Sequence, residues 1–108
     1  MIADELRAVL KQRSETVDEW YDGVKQCWDK EVEILARNLN DTINFLDNEC
    51  TADELSWISE VFDDLVKVTQ SRELIACLYR VAAKYPEEDK KYYVVRHIQL
   101  AEEDYLLD

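Results

Sequence analysis

The residues able to do chemistry are few. The chain has one histidine, His97, and three cysteines, Cys27, Cys50 and Cys77. A metal site built on helices needs ligands three or four residues apart, as in Glu-x-x-His. At those spacings His97 has Tyr93, Val94, Leu100 and Ala101, none of them a carboxylate. No metal is expected. The cysteines are odd in number and far apart, and they form no Cys-x-x-Cys, so they make neither a disulfide framework nor a zinc knuckle. Cys27 and Cys77 stand among apolar residues and read as small core hydrophobes. That usage points to a reducing compartment, the cytoplasm.

Nucleophilic catalysis would have to use His97 as its base, and nothing local places it beside Ser56, Ser59 or a cysteine. Arg96 directly precedes His97, whereas helical ribonucleases separate the two by several residues. Glu60 and Asp64 are a pair of carboxylates with acid–base potential. Four residues apart on a polar helix face, they read instead as part of a solvated acidic ridge. A single glycine, Gly23, leaves no glycine-rich phosphate loop. The expectation is a protein without catalytic residues or cofactor.

The ridge is the candidate binding site. Asp53, Glu60, Asp63 and Asp64 place four carboxylates along one predicted helix, with Ser56 among them and Trp57 alongside. Like charges so spaced repel by a few tenths of a kcal/mol per pair. A large aromatic in an acidic field is the composition of an interaction hot spot.

The charge of the whole chain agrees. Thirteen Lys and Arg face 25 Asp and Glu, giving a net charge of −12 over 108 residues, with the acid excess shared by both halves. Phosphate backbones need clustered cations, so nucleic acid is not an expected partner, and neither is an anionic membrane surface. A basic protein is the natural complement.

The elements that must carry these residues read as helices. One Gly and one Pro cannot supply the turns of a β-sandwich, and 47% hydrophobic residues suffice for a buried core. Ile2 to Arg13 is the first helix. Thr16-Val17-Asp18-Glu19 predicts a capping box opening a second, with Val17, Trp20, Tyr21, Val24, Cys27 and Trp28 on it. Gly23 inside that helix marks close packing or a break. Glu31 to Leu46 is amphipathic, and its separation from the second helix is open. Thr51-Ala52-Asp53-Glu54 is a second capping box, and the helix it opens turns Leu55, Ile58, Phe62, Leu65 and Val66 inward. Ser71-Arg72-Glu73 opens a helix that Tyr85-Pro86 stops. A fading turn follows to Tyr92 and Tyr93, then a last helix from Val95 to Leu106. The fold class expected is all-α, one domain over residues 1–108, in a compact bundle or orthogonal array of five to six helices. It should be monomeric or weakly dimeric. Trp20, Trp28, Leu35, Leu55, Ile58, Phe62, Leu65, Leu78 and Val81 are the expected core.

Three stretches carry a resemblance. They are Glu49-Cys50-Thr51-Ala52-Asp53-Glu54-Leu55-Ser56-Trp57-Ile58-Ser59-Glu60-Val61-Phe62-Asp63-Asp64, Thr69-Gln70-Ser71-Arg72-Glu73-Leu74-Ile75, and Ala82-Ala83-Lys84-Tyr85-Pro86-Glu87-Glu88. Together they resemble the small all-helical bacterial immunity proteins of contact-dependent growth inhibition systems, over residues 38 to 107. The resemblance implies a cytosolic, non-enzymatic inhibitor that binds the C-terminal toxin domain delivered by a neighbouring cell and masks its active surface. Many such toxins are basic nucleases. In immunity families specificity varies, and the first third of this chain, around Asp18, Glu19 and Asp22, is a second place for the contact. An acidic helical adaptor or assembly subunit, unrelated to toxins, is the alternative.

Overall fold

A computed structural model describes residues 2–107. Eight α-helices follow one another: α1 (Ile2–Glu15), α2 (Tyr21–Arg37), α3 (Leu39–Asn48), α4 (Ala52–Ile58), α5 (Phe62–Thr69), α6 (Arg72–Lys84), α7 (Pro86–Tyr92) and α8 (Val94–Tyr105). A 3-10 turn, Ser59–Val61, joins α4 to α5. Among the described residues there is no strand, and the class is all-α as expected. With α4 and α5 taken as one kinked segment there are seven helical segments, one or two more than five or six. The added one is α7. Pro86 sits at its first turn, where the missing N–H costs nothing, followed by Glu87, Glu88 and Asp89 at the positive end of the dipole.

The helix starts are written in side chains. Thr51 Oγ1 accepts from the Glu54 N–H and the Glu54 carboxylate accepts from the Thr51 N–H, so the second capping box forms in full. Ser71 caps α6 through the Leu74 N–H at 3.1 Å. The first capping box does not form. Thr16 Oγ1 donates backward to the Gln12 carbonyl at 2.7 Å, and Asp18 is held by Arg13, so α2 begins only at Tyr21. The α2–α3 break falls at Asn38, whose side chain accepts from the Asp41 N–H.

Between α4 and α5 the serines compete with the helix. Ser56 Oγ donates to the Asp53 carbonyl and Ser59 Oγ to the Ser56 carbonyl, each at 2.6 Å. Such back-bonds weaken the α-helical ladder, and the chain tightens into the 3-10 turn there. The rotation buries Ser59 and Val61 and leaves Val68 exposed.

The core gathers Leu6, Leu35, Phe45, Leu55, Ile58, Phe62, Leu65, Leu74, Leu78, Val81 and Ile98, all at most 1% exposed. The packing of α5 on α8 and of α1 on α2 is the most extensive. Trp20 departs from the expected core at 58% exposed, and Trp28 is half-buried. The reason is the late start of α2, which leaves Trp20 at its cap, lying over Gly23, where a Cβ would run into the indole. All three cysteines are free and buried. Burial pushes the Cys50 thiol up to about 12 and the Cys77 thiol to about 11.

Candidate functional site

The ridge divides in two. Asp53, Ser56, Trp57 and Glu60 line a groove of about 430 Å³ together with Trp28, Ser59, Tyr92 and His97. Asp63 and Asp64 stand outside it, exposed on α5. Burial raises the Asp63 carboxyl above its ordinary range; His97 opposes that shift, while Asp64 and Asp104 add to it.

Four segments build the groove. The capping box fixes α4 and so Asp53, Ser56 and Trp57. The 3-10 turn brings Ser59 and Glu60 round to the same side. Trp28 comes from the middle of α2. Tyr92 ends α7, and Tyr93 follows in the left-handed region at φ 55°. Asp89 Oδ1 then accepts from the Val95 N–H at 2.9 Å, capping α8 and setting His97 one turn along.

Glu60 is not a free carboxylate. Arg13 donates to both of its oxygens at 2.9 Å, and Trp28 Nε1–H donates to Oε1 at 3.0 Å. Arg13 is 5% exposed, reaches Asp18 at 3.0 Å, and lies 5.1 Å from the centre of the Trp57 ring. Burial works against its charge, but Glu60 and Asp18 outweigh it and hold the guanidinium more firmly protonated than usual.

Beneath this cluster lies Glu31, fully buried, with neither carboxyl oxygen hydrogen-bonded within the protein. Burial pushes its carboxyl up to about 8, with Glu60 adding to the shift and Arg13 opposing it. Sequence reasoning placed Glu31 at the boundary of a segment. A signal for it existed: the steps Val24, Cys27, Glu31, Ile34 and Leu35 put it in the apolar stripe of α2. Arg13, Tyr92 and His97 had no such signal, because contacts made between distant segments have no period.

The fold and the groove define an all-helical chain with an acidic, aromatic-lined surface site. Among the described residues no group of three or more His, Cys, Asp or Glu is placed to hold a metal ion. None of the helices described is long and apolar enough to cross a membrane. No family model, curated protein or solved structure matches this chain.

Proposed function

We propose that this chain is a non-enzymatic inhibitor that binds a basic protein, the C-terminal domain of a nuclease-type toxin, and masks its substrate-binding surface. The observation that carries this reading is the −12 charge, with exposed carboxylates on α4 and α5 near an aromatic groove. A nuclease holds an anionic substrate with cations, and an acidic surface competes for those cations. The likeness of residues 38 to 107 to immunity proteins supports a toxin over other basic partners.

The contact residues in this reading are Asp53, Ser56, Trp57, Glu60, Asp63 and Asp64. Asp53, Asp63 and Asp64 are exposed and offer charge. Glu60 contributes chiefly by anchoring Arg13 and Trp28. The inhibitor acts in the cytoplasm, without cofactor, as a monomer or weak dimer. A large exoprotein gene immediately upstream is expected, its absence favours an adaptor, and the test is co-expression with the C-terminal domain of that exoprotein. Restored growth and a complex that co-purifies at equal stoichiometry are expected. Growth arrest undiminished by this chain, with no complex recovered, overturns the reading.

A further inference from the structure

The lining of the groove combines aromatic rings with carboxylates. Trp28, Trp57 and Tyr92 bring aromatic rings from three helices. Tyr21, 60% exposed, packs edge-on against Trp28 with centroids 6.3 Å apart and carries the aromatic wall outward. The carboxylates of Asp53 and Glu60 line the same groove. The hydroxyls of Ser56 and Ser59 already donate to backbone carbonyls, which leaves their oxygens as acceptors, and the Trp28 N–H is spent on Glu60. Among the described residues no lysine or arginine lines the groove, and its basic side chain is His97.

The guest that fits is flat, cationic and rich in donors, which describes a guanidinium. The protein already holds one in this chemistry: Arg13 lies over Trp57 while donating twice to Glu60. We propose that the groove receives an arginine side chain of the partner protein, seated among Trp28, Trp57 and Tyr92 and paired with Asp53. The proposal rests on the reading of a basic protein partner for the source of that arginine.

The three indole N–H signals in an NMR spectrum test it, because Trp20 lies outside the groove lining and serves as the internal reference. The probes are acetyl-Gly-Arg-Gly-amide and its citrulline counterpart, which has the same shape without the charge. The arginine peptide should move the Trp57 and Trp28 signals and leave Trp20 still, and the citrulline peptide should bind about tenfold more weakly. Asp53→Asn should weaken the arginine peptide several-fold with the Trp20 signal unmoved, since the Asp53 side chain is exposed. Equal responses to both peptides, a Trp20 shift as large as the others, or no shift at millimolar peptide would each overturn the assignment. So would indole shifts that appear on raising the protein concentration alone, since a second copy is then the occupant. A toxin domain that binds with Trp28 and Trp57 unperturbed defeats the groove and spares the inhibitor reading. An arginine response without toxin binding supports the groove and defeats that reading.

Discussion

Arg13 of α1 grips both carboxylate oxygens of Glu60, 47 residues away, at 2.9 Å each. The pair ties the first helix to the 3-10 turn that shapes the groove, and Trp28 is fastened to the same carboxylate. Periodicity put Glu60 with Asp64 on a solvated face, yet the two differ in what they hold.

Glu60→Gln should therefore destabilise the fold, because it strips a charge partner from a guanidinium that is only 5% exposed. Exposed pairs contribute about 0–1 kcal/mol and breaking a buried pair costs about 3–5, so this half-buried one should cost about 2 kcal/mol. Asp64→Asn should stay within about 0.5 kcal/mol of the parent. Urea midpoints of the two variants check it. Equal midpoints would mean that the Arg13 pair adds nothing.

Glu31 gives the stability an unusual pH dependence. Its carboxyl titrates near 8 when folded, against 4.5 ordinarily. The folded state thus holds a proton that the unfolded chain has lost, and stability falls as pH rises from about 4.5 to about 8. A shift of that size corresponds to on the order of 5 kcal/mol across the window. Asp63, also raised, acts in the same sense; Glu54 and Asp47 are lowered and lose their contributions only at more acid pH. Glu31→Gln should leave stability at pH 4.5 nearly unchanged and raise the melting temperature at pH 8. A parent protein that melts higher at pH 8 than at pH 5 would sink this account.

Helix identity was legible wherever a side chain closes a cap or an apolar stripe keeps its period. Thr51, Ser71 and Pro86 act as read, and so does the stripe through Leu55, Ile58, Phe62 and Leu65. Thr16 misled, because the same hydroxyl can bond forward to a new helix or back to the one just ended, and the pull of Arg13 on Asp18 decides between them. The groove was half legible. Asp53, Ser56, Trp57 and Glu60 share one segment, while Trp28, Tyr92 and His97 arrive only through tertiary packing.

The two bulky aromatics should separate on truncation. Phe62 is 1% exposed and Trp20 58% exposed. Phe62→Ala should cost about 3–5 kcal/mol through the cavity it leaves. Trp20→Ala, which removes a mostly exposed ring lying over Gly23, should cost less than about 1 kcal/mol. Thermal melts of both variants test the contrast, and comparable losses would mean that Trp20 is part of the core after all.

Tyr93 and Gln70 both adopt positive φ, at 55° and 49°, yet relieving them should have opposite results. Tyr93 is 68% exposed, and the left-handed region costs such a residue about 1 kcal/mol. Tyr93→Asn should stabilise by several tenths of a kcal/mol, since asparagine tolerates that conformation. Gln70 spends its side chain: Nε2 donates to the Tyr105 carbonyl and Oε1 accepts from the Leu107 N–H, both at 2.7 Å. Gln70→Gly should destabilise by about 1–2 kcal/mol, as two tethers between α5 and the end of α8 are lost. Two changes of the same sign in denaturation would refute the distinction.

In the proposed complex, association with the toxin domain should be fast and should slow as salt rises, because exposed charges act mainly on encounter. Asp53, Asp63 and Asp64 carry charge outward without anchoring the fold, unlike Glu60. Replacing all three by asparagine should lower the association rate several-fold at low salt and flatten its salt dependence. Dissociation should change less, except for the part that Asp53 contributes inside the groove. Stopped-flow rates at two ionic strengths, for parent and triple variant, separate the possibilities. A parent rate indifferent to salt would make the electrostatic mechanism wrong. A salt-dependent parent rate that the triple variant shares unchanged would move the interface to the N-terminal acids Asp18, Glu19 and Asp22, all exposed beside the start of α2. Asp18 is then the discriminating position, since its carboxylate is 82% exposed while one oxygen is held by Arg13.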